Sequence, residues 1–228
     1  VRPQDFGAGG AGATDDTAAI QAAADTGKDV YFPRGTYMIS ASLVPRSNQT
    51  WFADENATIT GAVAGFLVNG VGATGEAISS VTNPIAALTN QIDMANAAAI
   101  AIGDIILLHD IVADDYEINQ VEFKAGNSLV TSWSMMQPFP TPANVRLYRL
   151  APLTGFTIRG IELVNTDPAG GGMSLTYSDR CRMEKCRIPS AGYIGVTFVS
   201  SIRPELVDSF IAKTGASGVG LRVTKLGR

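Results

Sequence analysis

The sequence predicts an all-β fold, a parallel β-helix interrupted once by a small antiparallel β module. Three observations lead there: a segment that recurs late in the chain, an in-and-out alternation within each copy, and a central stretch where that period disappears. Gly172-Met173-Ser174-Leu175-Thr176, Gly195-Val196-Thr197-Phe198-Val199 and Gly218-Val219-Gly220-Leu221-Arg222 recur at 23-residue spacing. Residues 156–163, 181–188 and 204–211 form a second aligned set, at steps of 25 and 23. A fixed period of this size marks coils that cannot bury their own apolar face and must stack on one another.

The chain opens with Asp5-Phe6-Gly7-Ala8-Gly9-Gly10-Ala11-Gly12-Ala13-Thr14-Asp15-Asp16. Thr14, Asp15 and Asp16 offer side-chain oxygens to the free amides of a helix expected over about 16–25, whose interior is Ala, Ile and Gln. After Gly27 the period becomes that of strands, with Val30 and Phe32, then Tyr37 and Ile39, around a Pro33-Arg34-Gly35 turn. Gly7 to Gly12 also satisfies G-x-G-x-x-G, but residues 1–5 make a poor preceding strand, and Asp15 and Asp16 would repel a phosphate. A dinucleotide site is therefore not expected.

This opening, with the later Val30-Tyr31-Phe32-Pro33-Arg34-Gly35-Thr36-Tyr37, resembles the start of the pectate-lyase-superfamily β-helix proteins. That group includes polygalacturonase-like enzymes, alginate epimerases and phage tailspikes. The resemblance implies a right-handed parallel β-helix whose first helix caps the open end of the solenoid.

Composition restricts the partners. The chain has 228 residues, 46% of them apolar and 17% charged, and no apolar run approaches a membrane span, so a globular, soluble protein without membrane insertion is expected. A net charge of -4 argues against nucleic acid. Local basic residues such as Arg180, Arg182, Lys185 and Arg187 leave room for an acidic polysaccharide. Cys181 and Cys186 lack a metal-ligand pattern and read as buried free thiols, with a disulfide as the alternative. The missing initiator Met points to a processed or trimmed N-terminus.

Alternation places Ile158, Met183 and Leu206 in one inward column and Leu163, Ile188 and Ile211 in another. Outward residues then stack about 4.8 Å apart. Arg182 meets Glu205, Arg159 meets Glu184, Lys185 meets Asp208 and Glu162 meets Arg187, always with opposite sign. Each pair is worth roughly 0.2–1 kcal/mol, and a structural ladder is the reading preferred over catalysis for these carboxylates.

From about Val71 to Pro152 the coil period is lost. Runs 100–108, 117–123 and 129–133, with a Lys124-Ala125-Gly126-Asn127 turn, read as antiparallel strands. The expected domains are 1–70, cap helix and first coils; 71–152, inserted module; and 153–228, further coils ending in a coil that begins at Gly218 and stops without a cap. More chain, or a neighbouring subunit, is expected to close that end.

Candidate chemistry is sparse. Glycoside hydrolysis needs two carboxyl groups, and Asn165-Thr166-Asp167 is similar to the Asn-Thr-Asp run of polygalacturonase-like enzymes. The next coil carries Ala191-Gly192-Tyr193-Ile194 where that family has Gly-Asp-Asp, so Asp167 reads equally as a turn residue before Pro168. The catalytic candidates are Asp167, Asp179 and Tyr177. Tyr193 and Trp133 are the substrate-binding candidates, and Trp51 and Tyr116 are further aromatic residues with a packing reading beside the stacking one. His109, the sole histidine, gives no metal cluster and no triad motif. No cofactor and no metal are expected.

The resemblance, with the inserted β module, implies a phage or phage-like virion spike, a homotrimer joined to other virion proteins, that recognises a bacterial surface polysaccharide and is a candidate depolymerase. The expected location is the virion surface or extracellular space. The alternatives are a secreted bacterial polysaccharide lyase, glycoside hydrolase or epimerase, and a non-catalytic structural fibre or adaptor segment.

Overall fold

In a computed structural model the chain is described over residues 1–212 and 219–224. Strands β1 (Ala11–Asp15), β2 (Val30–Tyr31), β3 (Gly35–Met38), β4 (Thr50–Gly61) and β5 (Phe66–Val71) lead the chain, with helix α1 (Thr17–Asp25) after β1. Then come β6 (Ala73–Ser80), β7 (Gln91–Asp93), β8 (Ile105–Asp110), β9 (Asp115–Ala125), β10 (Ser128–Thr131) and β11 (Val145–Ala151). The remainder is β12 (Leu153–Thr154), β13 (Thr157–Asn165), β14 (Gly171–Thr176), β15 (Ser178–Asp179), β16 (Arg182–Glu184), β17 (Arg187–Ser190), β18 (Ile194–Val199), β19 (Glu205–Val207), β20 (Phe210–Ile211) and β21 (Val219–Thr224). The chain forms two compact units, one of Val1–Val71, Leu153–Val199 and Pro204–Thr224, the other of Gly72–Pro152 with Ser200–Arg203.

The first unit is a parallel β-helix. One sheet runs β1-β3-β4-β13-β16-β19, extended by β2, β17 and β20; a second runs β5-β14-β18-β21; β12 and β15 form a third. The inward columns are as the alternation demands: Ile158 pairs with Met183 and Met183 with Leu206. Ile158, Met183, Leu163 and Ile188 are fully buried, whereas Leu206, on a strand with a partner on one side only among the described residues, is 36% exposed. Trp51, Phe156, Phe32 and Tyr37 fill the same core, with Trp51 edge-on to Phe156 at 5.5 Å. Helix α1 buries Ile20, Ala23 and Ala24 in that core.

The register of the repeat needs correction. The third glycine segment is not in 23-residue register: Val196 pairs with Leu221, so Gly195 faces Gly220 rather than Gly218, a residue outside those described. A two-residue slip preserves which side chains face inward, so alternation cannot detect it. Close approach decides instead, since a Cβ on Gly195 would lie 2.5 Å from the Gly220 carbonyl oxygen. The coil expected from Gly218 onward falls partly outside the described residues. Ahead of the helix, β1 pairs in parallel with β3. Of the two readings of Trp51, packing is the one the structure shows: it is core, its indole N–H donating to Gln49 Oε1 at 2.7 Å.

Two of the four predicted charge pairs form. Arg182 Nη1 lies 3.0 Å from Glu205 Oε2, and Arg187 Nε lies 3.5 Å from Glu162 Oε2. Arg159 and Glu184 are in register, but Arg159 lies over the Phe52 ring at 5.6 Å and Glu184 takes Arg182 at 3.3 Å. Lys185 and Asp208 sit at left-handed corners, φ 51° and 47°, between strands, and no ion pair joins them among the described residues. A corner aims its side chain away from the strand normal, so a column count over-predicts pairing there.

The second unit is an antiparallel sheet in the order β6-β11-β8-β9-β10-β7. The Val81 and Met94 bridge, with Thr82 N–H donating to Asp93 O, brings its two edge strands together. Val81, Ile92, Ile106, Leu108, Val121, Leu129, Val145 and Leu147 belong to its own core. No described helix is long and apolar enough to cross a membrane.

Candidate functional site

The glycine-rich opening closes on itself. The Gly9 and Gly10 amides donate to Asp16 Oδ1 and Oδ2 at 2.7 and 3.2 Å, and Asp16 is buried. The amides a phosphate would require are therefore occupied by an internal carboxylate, which replaces the anion of the dinucleotide motif. The helix N-terminus is served by its neighbour: Asp15 Oδ1 accepts from the Thr17 amide at 2.9 Å, and Asp15 Oδ2 accepts from Ser40 Oγ at 2.6 Å. The Ser40 and Thr17 hydrogen bonds pull the Asp15 pKa down to about 2.

Asp167 is a turn residue. Its Oδ1 accepts the Ala169 amide at 2.8 Å and its carbonyl accepts the Gly170 amide at 3.0 Å. The residue that organises this corner is Asn165, which is buried. Asn165 Nδ2 reaches the carbonyls of Val63, Gly65 and Gly171 at 2.9, 3.1 and 2.9 Å, while Oδ1 accepts the Val63 and Asp167 amides at 3.2 and 3.1 Å. The next coil packs against the same turn, since a Cβ on Gly192 would lie 2.3 Å from the Asp167 and Pro168 carbonyl oxygens. Tyr193, 47% exposed, donates its amide to Gly170 O at 2.9 Å. Asp167 and Tyr193 thus share a corner.

Tyr177 and Asp179 lie at the far end of β14. Six residues of strand separate that end from Asp167, about 20 Å at 3.3 Å per residue, so Asp167 and Asp179 do not form the acid pair that hydrolysis needs. Tyr177 occupies a left-handed corner at φ 50°. Asp179 is buried, with Oδ2 accepting from Arg180 Nε at 3.1 Å. Trp133 and His109 belong to the second unit. Trp133 is half-buried and its carbonyl accepts Asn119 Nδ2 at 2.7 Å; His109 Nε2 lies 3.0 Å from Asp114 Oδ1. Nearby, Glu117 receives the Met136 and Gln137 amides, and burial raises its pKa against their opposing pull. No group of three or more potential metal ligands occurs among the described residues.

The outer face of the first sheet offers a different chemistry. Tyr31, Phe52, Arg159 and Glu184 are successive register partners across four coils. Tyr31 and Phe52 rings lie 5.3 Å apart, with Arg159 over Phe52. A few positions along, Arg187 covers the Phe210 ring at 5.7 Å. Aromatic faces with guanidinium donors beside them suit the apolar faces and hydroxyl or carboxylate edges of sugars. Alternation alone marks Tyr31 and Phe52 as outward, but their alignment with Arg159 requires β4 to pair with β13 across the long central stretch, a contact no local pattern encodes.

The family described as rhamnogalacturonase A/epimerase, pectate lyase-like matches residues 1–131. The chain belongs to this family. Among solved structures it is similar to the tailspike gp61 of Pseudomonas phage phi297, with a TM-score of 0.74 and 13% identity over 98% of this chain and 48% of that one. It is similar too to the tailspike gp49 of Pseudomonas phage LKA1, with a TM-score of 0.70 and 18% identity over 99% and 50%. A third likeness is to the Gp54 tailspike of Acinetobacter baumannii bacteriophage AP22, described in complex with A. baumannii capsular saccharide, with a TM-score of 0.64 and 12% identity over 94% and 44%. These likenesses establish the β-helix fold, and the chain spans about half the length of these tailspikes. No curated protein matches the chain.

Proposed function

We propose that the chain is a right-handed β-helical part of a phage tailspike-type protein that recognises a bacterial surface polysaccharide at the virion surface. The observation that carries this reading is the outward Tyr31-Phe52-Arg159 column, an aromatic and cationic strip repeated in kind at Arg187 and Phe210. Tailspike likenesses covering 94–99% of the chain support it. In this reading α1 caps the coils, residues 71–152 are an inserted module, and the assembled spike is a trimer. Tyr193 and Asp167 contribute to a binding corner, and Trp133 to the module's own surface. Depolymerisation, with Asp179 and Tyr177 as the remaining catalytic candidates, belongs to the same proposal in its enzymatic form.

A structural fibre is the second reading. Its support is that Glu162, Glu184 and Glu205 are all taken by arginines. The test is to incubate the chain with a panel of acidic and neutral bacterial exopolysaccharides, measuring retention, unsaturated-product absorbance and new reducing ends. Retention that Phe52→Ala with Arg159→Ala abolishes supports recognition, and product in either channel supports the enzymatic form. Absence of retention and product across the panel favours the fibre.

A further inference from the structure

The second unit carries a transverse row of polar and aromatic side chains that the β-helix strip does not use. Arg146 on β11 pairs with Ser80 on β6 and with His109 on β8, and His109 pairs with Tyr116 on β9. Residues directly opposite one another in an antiparallel sheet point to the same face, so these four form one line across four strands, about 14 Å long. His109 meets Tyr116 edge-on at 6.0 Å, and Tyr148, two residues along from Arg146, lies 6.4 Å from the His109 ring. All five side chains are half-buried. Beside Arg146 lies an open recess of about 470 Å³, lined by Ala77, Ser79, Ser80, Val81, Ala143 and Arg146.

The guanidinium is held in one orientation. Arg146 Nη1 donates to the carbonyls of Ala143 and Val145 at 2.7 and 3.2 Å. Its Nε and Nη2, the side-on pair of donors that matches a carboxylate, have no partner among the described residues. The row itself carries no acid, and Asp114, in the turn between β8 and β9, lies 3.0 Å from His109 Nε2 rather than at the arginine. A fixed two-donor fork and a serine hydroxyl in the lining of a recess of ligand size, with three aromatic rings farther along the same sheet face, together answer to a ring that has an apolar face and bears a carboxylate.

We infer that the Ser80-Arg146-His109-Tyr116 row, with Tyr148 and the adjoining recess, is a subsite for a carboxylate-bearing sugar unit of a polysaccharide. The inference rests on the polysaccharide reading above and adds to it a second, charge-selective contact on the other unit. The fork provides the charge selection, and the aromatic rings provide a surface for the sugar's apolar face.

The experiment is calorimetric titration of the full chain with a short oligoglucuronate, a neutral malto-oligosaccharide of equal length, and inorganic phosphate. Losing a charge-assisted two-bond contact should weaken oligoglucuronate binding by Arg146→Ala at least about tenfold. Arg146→Lys should recover only part of that, because an ammonium cannot present the fork. Ala77→Trp, which fills the recess from an exposed position and leaves the arginine in place, should also weaken it; this variant keeps the test decisive if Arg146→Ala fails to fold. Oligoglucuronate binding that both variants leave intact overturns the subsite alone. Phosphate displacing oligoglucuronate at equal concentration overturns the assignment to a sugar, and an unaltered chain that binds neither oligosaccharide overturns both readings.

Discussion

Asn165→Ala is the most informative single change, because the Asn-Thr-Asp run reads as catalytic by resemblance and as architectural by geometry. The side chain is buried and holds five backbone groups from three segments of the coil. Some of those groups have other partners: Gly65 O also accepts the Gly171 amide at 3.0 Å. The Val63 and Asp167 amides are the exposed liability, since Asn165 Oδ1 is the acceptor for both. Two orphaned donors at about 1–3 kcal/mol each give roughly 4 kcal/mol. For a chain of this size that is a fall in Tm of about 10 °C, read by far-UV circular dichroism with the first unit treated as one cooperative transition. Hydrogen exchange should show the Val63 and Asp167 amides losing protection first. Asn165→Asp should be worse at neutral pH, since it offers no hydrogen to three carbonyls. An Asn165→Ala protein melting within about 2 °C of the parent, with both amides still protected, would refute the reasoning.

Arg182→Glu should lower Tm by a few degrees at low ionic strength and by less in high salt, since it sets a carboxylate against Glu184 and Glu205 where an arginine now lies 3.3 and 3.0 Å away; thermal melts across a salt series measure it, discounted for the arginine's partial exposure. Cys181 and Cys186, buried and raised to about 11 by that burial, should resist iodoacetamide at pH 8 in the native state and react together once the chain unfolds, as mass spectrometry would record. Asp15 is depressed to about 2, so its contribution is present above the ordinary aspartate range near 3.9 and lost as pH falls from there through about 2. Asp15→Asn should flatten that part of the stability curve followed by chemical denaturation.

Much of the β-helix was readable because its evidence is local. Ile158 and Met183 fall into one buried column from the 25-residue step alone, and Arg182 and Glu205 meet from the 23-residue step. The candidate site was far less legible. Asp16 reads as a helix cap in sequence and turns instead into the glycine loop, leaving Asp15 to meet the Thr17 amide, because two adjacent carboxylates with similar propensities are separated only by which amides the fold brings near. Asn165 carries the Asn-Thr-Asp resemblance in sequence, but its role in holding the corner shows no signal beyond its turn-forming type.

The sequence by itself determined the coil period, the inward columns and the opposite-sign charges, since strand alternation and repeat spacing are properties of neighbouring residues. The tertiary structure alone decided that Gly195 meets Gly220, that Phe52 stacks beneath Arg159, and that Ser80, Arg146, His109 and Tyr116 share one line. Those outcomes depend on register between strands far apart in the chain. Register is settled by close backbone approach and whole-sheet packing, which a pattern of period two leaves free to slip by two residues.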